Sequence, residues 1–488
     1  MAAQKGANGV VQSILGLSKP DIIGEDLLAD ESDAEARIAT MGLMTSDLTR
    51  RHVAASIAAA GAGAIGGALL GKLAADGDAS QTQVVSPFGV KRAQSQRAND
   101  RITIEDLGGG TDKTAEQNLA ALTDPRAAGR TVRLGDGTYF VAGTVTLPVA
   151  VSGRAMSLGG NGRDRTKLVN TTANLPTIKI HDYVSYTTIG DLTLDRSLTA
   201  TSGGDGIVVG DNVSHIRLDG ITSQNNYRGF NLGTTDVGYL YNVEAKNNIS
   251  HGFLFQNNSL VSTGGLPIQW NFSGRNISQY NGGDGYRVQT NPGSRTRGAA
   301  EIVLGEFAGV STAGNVGSGI GLYGAVNLPI SDFRLGSHFI GGDAGVEVYL
   351  DTYGHSHVIT GGFIEYAGSW GIFATGNNEG LNVTGTHLLN TKKNAIYSRA
   401  KKTSITGVTI EAAGQDTTES NPLRASVYLE GADSSVVGGI LDGGTFGVVA
   451  AAARANIIGP TIINTAVQPM TGQSDTMVRG VRGVADAN

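Results

Sequence analysis

The sequence predicts an all-β fold, a right-handed parallel β-helix of about ten rungs that follows a short helical N-terminal region. Three observations lead to this prediction. The 488 residues include 72 glycines and only 11 prolines, which excludes a collagen-like or proline-rich chain. Short Val/Ile/Leu clusters between the glycines indicate many strands joined by tight turns. A glycine-led strand also repeats every 23 to 34 residues, a spacing typical of solenoids.

Composition divides the chain into four predicted regions. Residues 1–100 are rich in Ala, Gly, Asp and Glu and are expected to hold a helical attachment region and a linker. Beyond them the sequence changes to short β-rich clusters that continue almost to the end. These clusters predict an opening segment of the β-helix at 101–148, its body at 149–470 and a C-terminal tail at 471–488.

The first region contains an acidic helix, predicted at 25–44, and an uncharged Ala/Gly-rich run at 53–71. The run follows an arginine pair at 50–51, so it would be a twin-arginine export signal if translation began at Met41 or Met44. A membrane span is the weakest interpretation, because Ala and Gly contribute little transfer free energy. Small residues at four-residue spacing slightly favour a helix that packs closely against another chain.

The opening segment contains a recognisable order of residues. They are Asp106, Gly108, Gly110, Thr111, Asp112 and Thr114, then Gly129, Val132, Gly137, Thr138 and Tyr139. This order resembles the start of pectate-lyase-like β-helix proteins and of bacteriophage tailspikes, where such a stretch leads to a short helix, a Gly-rich turn, a strand and G-x-Y. The proline usual before that G-x-Y is replaced by Gly135-Asp136. The resemblance implies the fold and carries no catalytic information.

Two strand types repeat in the body. The first comprises GIVV (206–209), GFNL (229–232), GFLF (252–255), GYRV (285–288), GIGL (319–322), GVEV (345–348) and GIFA (371–374). The second comprises HIRLDGI (215–221), GYLYNVE (238–244), ITGVTIE (405–411) and NIIGPTI (456–462). One rung cannot bury its apolar face alone, so the repeats must stack. A β-propeller or sandwich is the alternative, but the N-G and D-G dipeptides here precede single strands and do not join paired ones.

Alternation along the first strand type predicts columns of side chains, because successive residues point to opposite faces. The inward column is Ile207, Phe230, Phe253, Tyr286, Ile320, Val346 and Ile372. The next residues point outward: Val208, Asn231, Leu254, Arg287, Gly321, Glu347 and Phe373. A further outward column is Gln256, Gln289, Tyr323, Tyr349 and Thr375. The turn before each strand supplies Asp205, Arg228, His251, Asp284, Ser318, Ala344 and Trp370.

One long face therefore carries the candidate site. The candidate catalytic residues are Asp205, His251, Asp284 and Glu347. The candidate substrate-binding residues are Arg228, Arg287, Tyr323, Tyr349, Asp351 and Trp370. Aromatic rings stack on sugar rings, arginines bind hydroxyls or acidic substituents, and paired carboxylates can act as the acid and base of glycosidic cleavage. Any one of these polar residues is more often a simple turn former, so the prediction rests on their combination.

The placement of these residues is similar to that in polygalacturonases, whose catalytic aspartates precede this same strand and whose histidine lies one rung on. His251 and Asp284 are expected on consecutive rungs. The double aspartate of that family is GGDG here, at 203–206 and 282–285, and its R-x-K signature is absent. The resemblance implies a functional face and does not establish pectin cleavage.

A second outward column competes with the first. Aligning the later strands stacks Glu365, Glu411 and Asp442, with His387 and Phe363 nearby. Two rungs separate Glu365 from Glu411, about 9.6 Å at the backbone. That is the outer edge of the roughly 6.5–9.5 Å carboxyl separation in inverting glycosidases. An ordinary charged surface is the preferred interpretation.

Composition also excludes several functions. The chain has no cysteine, which removes disulfides, thiolate catalysis and cysteine-based metal sites. Its net charge is -6 and it lacks a dense Lys/Arg run, so no nucleic acid is expected as a partner. No metal or other cofactor is predicted.

Three functions remain open. The first is a tailspike-like virion protein, a homotrimer that binds and cleaves host cell-surface polysaccharide and attaches to virion tail proteins through residues 1–100. The second is a secreted or periplasmic polysaccharide lyase, hydrolase or epimerase exported by the twin-arginine route. The third is a non-enzymatic β-helix adhesin. The first is favoured because it gives residues 1–100 a structural role, and a mature N-terminus near residue 76 would exclude it.

Overall fold

The computed structural model describes residues 83–85, 91–93, 101–256, 268–289, 310–324, 329–331, 333–336, 347–352, 357–451, 454–465, 468–472 and 476–484. The chain divides into two units, Met1–Arg101 and Ile102–Asn488. In the first unit, Gln83–Val85 pairs antiparallel with Lys91–Ala93. The helix predicted at 25–44 and the uncharged run at 53–71 lie outside the described residues. None of the described helices is long and apolar enough to cross a membrane.

The second unit is a parallel β-helix whose strands form three sheets. Sheet 1 contains Val145–Thr146, Ile178–Ile180, Ile207–Val209, Phe230–Leu232, Phe253–Gln256, Tyr286–Gln289, Ile320–Gly324, Val348–Thr352, Ile372–Ala374, Ile396–Ser398, Val427–Leu429, Phe446–Ala450 and Gln468–Gly472. Sheet 2 contains Pro329–Ser331, Val358–Thr360, Asn382–Thr384, Ser404–Thr406, Ser435–Val437, Asn456–Ile458 and Met477–Arg479. Each strand pairs in parallel with the strand one rung further on, as Ile207–Val209 does with Phe230–Leu232.

Sheet 3 contains the remaining strands of the helix. From residue 131 these are Thr131–Arg133, Gly137–Val141, Ser157–Gly159, Thr166–Asn170, Ser185–Arg196, Ser214–Gln224, Thr235–Tyr241, Glu244–Lys246, Ile268–Ser273, Asn276–Gln279, Val310–Ala313, Arg334–Gly336, Phe363–Glu365, His387–Leu389, Thr409–Ala413, Ile440–Gly443, Thr461–Ile463 and Arg482–Val484. The thirteen described strands of sheet 1 exceed the ten rungs predicted, and strands continue past residue 470.

The opening segment forms the short helix expected of it. After the strand Arg101–Thr103 and the 3-10 turn Glu105–Leu107, the α-helix Ala115–Leu122 begins at a capping box. The Gln117 side chain accepts the backbone N–H of Thr114 at 3.0 Å, and the Thr114 side chain accepts that of Gln117 at 3.2 Å. Further 3-10 turns occur at Pro125–Ala127 and Asn421–Arg424.

Apolar side chains fill the interior, as the alternation predicts. Every described member of the predicted inward column is fully buried, namely Ile207, Phe230, Phe253, Tyr286, Ile320 and Ile372. The rings of Phe230, Phe253 and Tyr286 stack with centroids 4.7 Å apart and planes within 7°. The predicted inward column is therefore confirmed for these residues, while Val346 lies outside the described residues.

The second predicted strand type is not straight. Each example contains a residue with positive φ, where the chain bends within the rung: Gly220 (61°), Asn242 (52°), Gly407 (60°) and Gly459 (68°). Glycine and asparagine tolerate this left-handed conformation better than other residues. The bend explains why one glycine or asparagine interrupts the alternation of apolar residues in each of these four strands.

Buried asparagines form a ladder along one corner of the β-helix. Asn226, Asn248, Asn281 and Asn315 occupy equivalent positions on successive rungs, each after a residue of positive φ. The side-chain oxygens of Asn248, Asn281 and Asn315 accept the backbone N–H of the ladder asparagine one rung earlier, at 3.1, 3.0 and 3.1 Å. The ladder thus satisfies backbone donors that would otherwise be buried without partners.

Candidate functional site

The outer surface of sheet 1, called here the sheet 1 face, carries two outward columns. The first is Val208, Asn231, Leu254, Arg287, Gly321, Tyr349, Phe373, Tyr397 and Tyr428. The second includes Gln256, Gln289, Tyr323 and Asp351. Tyr349 therefore belongs to the first column. Asp351 takes the position in the second column that was predicted for Tyr349.

Asp205 and Arg228 lie on consecutive rungs of the turn column. The Nε and Nη2 atoms of Arg228 donate to the two carboxylate oxygens of Asp205 at 2.8 and 2.9 Å. The amide of Asn231 donates to the same carboxylate at 3.1 Å. Asp205 is 1% exposed, so its oxygens are occupied by these partners and withdrawn from solvent.

His251 and Asp284 occupy the next two rungs, as the sequence predicts, and contact each other. The Oδ1 of Asp284 accepts the backbone N–H of Ser318 at 2.7 Å. Its Oδ2 accepts from the Arg287 guanidinium at 3.1 Å and the Tyr323 hydroxyl at 3.3 Å. Asp284 is also almost fully buried, so its carboxylate holds these donors in position.

The imidazole of His251 is neutral at physiological pH. Its Nδ1 accepts the backbone N–H of Asp284 at 2.9 Å, and lies 3.8 Å from the Asp284 carboxylate. Burial lowers the pKa of His251 to about 4, against the opposing effect of that carboxylate. The proton of the neutral ring therefore lies on Nε2. His251 can donate a hydrogen bond through that nitrogen, and its occupied Nδ1 is a poor general base.

Amides link these groups along the second column. Gln256 donates to Asn231 at 3.0 Å, Gln289 donates to Gln256 at 2.8 Å, and Arg287 donates to Gln289 at 2.7 Å. The rungs from Asp205 to Arg287 thus form one connected hydrogen-bond network, called here the polar half of the face.

Further along the same face lies an aromatic ladder of six rings: Tyr323, Tyr349, Trp370, Phe373, Tyr397 and Tyr428. Centroids of neighbouring rings are 5.3 Å apart for Tyr323–Tyr349, 5.6 Å for Tyr349–Phe373, 5.1 Å for Phe373–Tyr397 and 5.0 Å for Tyr397–Tyr428. Trp370 stacks on Phe373 at 4.9 Å. Interplanar angles of 46° to 52° in three pairs prevent the rings from covering one another completely.

The sequence prediction missed three members of this ladder as site residues, Phe373, Tyr397 and Tyr428. The strand of Phe373 is the last with the glycine-led motif. The next strands of sheet 1 begin with Ala or Ser instead of Gly, as AIYS (395–398) and SVYL (426–429). Their small-residue-then-apolar alternation was the available signal. Burial and the Glu430 carboxylate raise the pKa of Tyr397 to about 12, so its hydroxyl stays protonated and donates to Glu430 at 2.6 Å.

Glu347 does not point outward, which corrects the prediction. Val348, not Val346, pairs with Ile320, so Glu347 takes the position that Gly319 and Gly371 hold on the adjacent rungs. Its side chain enters the core and is 2% exposed, and a Cβ added at Gly319 would lie 2.5 Å from its Oε2. Burial raises the pKa of Glu347 to about 8, against the smaller opposing effect of the nearby Thr312 hydroxyl.

The four candidate catalytic residues are therefore not assembled as one acid–base centre. Asp205 and Asp284 are three rungs apart, about 14 Å at the backbone, which exceeds the roughly 6.5–9.5 Å of inverting glycosidases. Both carboxylates are held by arginines, and Glu347 lies inside the helix. The carboxylates of Asp205, Asp284 and Glu347 are thus withdrawn from solvent.

The second predicted column has its expected register on sheet 3. Glu365 pairs with Leu389, which pairs with Glu411, so the two glutamates are two rungs apart. The Nε2 of His387 lies 3.1 Å from Glu411 Oε1, and its ring packs edge-on to Phe363 at 4.9 Å. The register shifts between Ile410 and Ala413, so Asp442 is not directly paired with Glu411. Within the described residues no group of three His, Asp or Glu side chains could hold a metal ion.

No protein-family model matches the chain, and no curated protein matches it. The A-module of Azotobacter vinelandii mannuronan C-5 epimerase AlgE4 is similar in structure, with 16% identity and a TM-score of 0.43, over 77% of this chain and 99% of that one. The catalytic domain of a GH87 α-1,3-glucanase in complex with nigerose gives 13% identity and 0.44, over 77% and 67%. The catalytic unit of the Streptomyces thermodiastaticus GH87 α-1,3-glucanase gives 14% and 0.41, over 79% and 69%. At these values the likeness carries no argument about activity.

Proposed function

We propose that this protein binds a cell-surface polysaccharide along the sheet 1 face. The observation that carries the proposal is the aromatic ladder, in which six rings follow one another along the axis of the β-helix. Sugar rings pack their C–H faces against aromatic side chains, and hydroxyls bind the guanidinium and amide groups beside them. A ladder that extends over five rungs fits a chain of sugars better than a single small molecule.

The proposal includes a biological setting, a tailspike-like virion protein that attaches to host polysaccharide. The order of residues in the opening segment and the capped helix it forms support this setting. A homotrimer, attachment to virion tail proteins through residues 1–100 and a location in the virion tail belong to the same proposal. A secreted or periplasmic enzyme and an adhesin are the alternatives, separated from it by the mature N-terminus and by assays for cleavage.

Binding is tested by affinity measurements on a panel of purified bacterial surface polysaccharides. Tyr349→Ala and Phe373→Ala should each weaken binding about 30-fold, the effect of losing a central contact residue. Tyr239→Ala is the control, because Tyr239 is an exposed tyrosine on sheet 3. Equal affinities for all three variants and the unaltered protein would contradict the proposal.

Cleavage is the second candidate function, and one observation favours a location for it. Glu365 and Glu411 face outward two rungs apart, and Glu411 contacts His387. If the protein depolymerises its ligand there, Glu365→Gln and Glu411→Gln should abolish release of oligosaccharides while Asp284→Asn retains it. Loss of activity in Asp284→Asn alone would place cleavage on the sheet 1 face instead.

A further inference from the structure

Four cations of the sheet 1 face are bound to carboxylates. They are Arg228, Arg287, Lys393 and Arg399, and they lie between the rungs of Asp205 and Glu430. Arg228 pairs with Asp205 at 2.8 Å and Arg287 with Asp284 at 3.1 Å.

The two cations beside the aromatic ladder are also paired. Lys393 contacts Glu419 at 2.6 Å and lies 4.7 Å from the Trp370 ring centroid. Arg399 contacts Glu430 at 2.9 Å and packs over Tyr397. The aromatic rings are thus accompanied by cations whose charge is already satisfied.

A fifth carboxylate leaves these groups with a slight negative balance. Asp351 is on the ladder side of the face, where two neutral groups donate to it, the hydroxyl of Thr375 at 3.2 Å and the amide of Asn377 at 3.4 Å. The His251 ring adds no positive charge at neutral pH because burial lowers its pKa to about 4. The whole chain carries a net charge of -6.

We infer that the polysaccharide recognised by the sheet 1 face is a neutral one, composed of uncharged sugars. This inference rests on the proposed function and specifies its ligand. A uronate or sulfate group would have to displace a carboxylate already bound to each arginine or lysine, an exchange that gains little free energy. Long-range repulsion by a negatively charged protein would also slow the approach of a polyanion. Hydroxyl groups meet no such competition, because a guanidinium has five N–H groups, more than its one carboxylate partner occupies.

The test compares matched neutral and anionic forms of the same polymers. Uronate-containing surface polysaccharides are measured before and after reduction of their carboxylates to alcohols, together with neutral mannan and galactan. We expect binding to a neutral or reduced polymer, with affinity changing less than about twofold between 50 and 500 mM NaCl, since few ions are displaced. Binding confined to unreduced polymers, or a tenfold loss of affinity over that salt range, would overturn the inference and leave the proposed function intact. Binding to no polysaccharide at all would overturn both.

A charge-releasing variant provides a second measurement. Glu419→Gln combined with Glu430→Gln frees Lys393 and Arg399, so the ratio of anionic to neutral polymer affinity should rise about twofold to fivefold, the range of surface ion pairs. Glu379→Gln is the matched control, because Glu379 pairs with Lys402 at 2.6 Å in a turn outside sheet 1. An unchanged ratio in the double variant would show that these ion pairs do not set the ligand charge.

Discussion

The polar half of the sheet 1 face and the aromatic ladder differ in how far their charged groups are exposed. In the polar half, Asp205 and Asp284 are almost fully buried and every carboxylate oxygen meets a donor. Along the ladder the ion pair of Arg399 and Glu430 is exposed, with side-chain exposures of 50% and 33%. The difference teaches that one face of a β-helix can bury its charged groups at one end and expose them at the other.

Glu347 marks the boundary between the two halves, and its titration should have the largest effect. The pKa of about 8 in the folded protein stands against an ordinary value of 4.5. The unfolded chain therefore releases this proton first, and stability falls as pH rises from about 4.5 to 8, by an amount on the order of 5 kcal/mol. Glu347→Gln should match the unaltered protein near pH 5 and unfold at a higher temperature at pH 8.5. Parallel pH profiles of melting temperature would contradict this prediction, and the half-exposed Glu365→Gln serves as control.

The buried carboxylates should contribute more to stability than the exposed ones. Asp284→Asn leaves Arg287 without its counter-charge and keeps only one acceptor atom for three donors, a loss of about 2–3 kcal/mol. Glu430→Gln should cost less than about 1 kcal/mol, because exposed ion pairs are weak. Denaturation midpoints of the two variants provide the measurement. Equal costs would remove the distinction between the halves.

Hydroxyl groups on the ladder should have a smaller effect on binding than its rings. Tyr397→Phe keeps the ring and removes the hydroxyl that donates to Glu430 and accepts from Arg399 at 2.9 Å. Both partners are protein groups and one such hydrogen bond contributes about 1 kcal/mol, so polysaccharide affinity should fall by no more than about fivefold, through displacement of Arg399. Isothermal titration with the polymer bound by the unaltered protein checks this, with Tyr239→Phe as control. A loss as large as that of Tyr349→Ala would show that the hydroxyl, not the ring, dominates.

The smallest effect is expected from pH acting on the polar half. His251 is neutral well above its pKa of about 4, so its donor Nε2–H is unchanged between pH 5.5 and 8. Affinity for the polysaccharide should vary less than about twofold over that range. A transition centred near pH 6.5 would mean that His251 has an ordinary pKa and a solvent-exposed ring.

The sequence allowed the fold and much of the register to be predicted, because alternation and glycine spacing are local properties. The inward column and the adjacency of His251 and Asp284 followed from it. The position of Glu347 did not, because GVEV repeats the pattern of its neighbours while its rung begins two residues later. The location of that carboxyl, beside Gly319 and Thr312, is seen only in the three-dimensional structure. Three partners of Asp284 were equally inaccessible, since His251, Ser318 and Tyr323 lie 33 to 39 residues away in sequence.

The asparagine ladder has a consequence for how the polar half opens. Nearest-neighbour coupling usually lets a solenoid fray from its ends one repeat at a time. Here the side-chain oxygen of each asparagine after the first accepts a backbone N–H of the preceding rung. Asn281 also donates through its side chain to Asn315 at 2.8 Å. Detaching one rung therefore exposes buried amides on the next, so the four rungs from Asn226 to Asn315 should exchange their amide hydrogens as one cooperative unit. A force applied to this part of the face would be shared among four rungs at once.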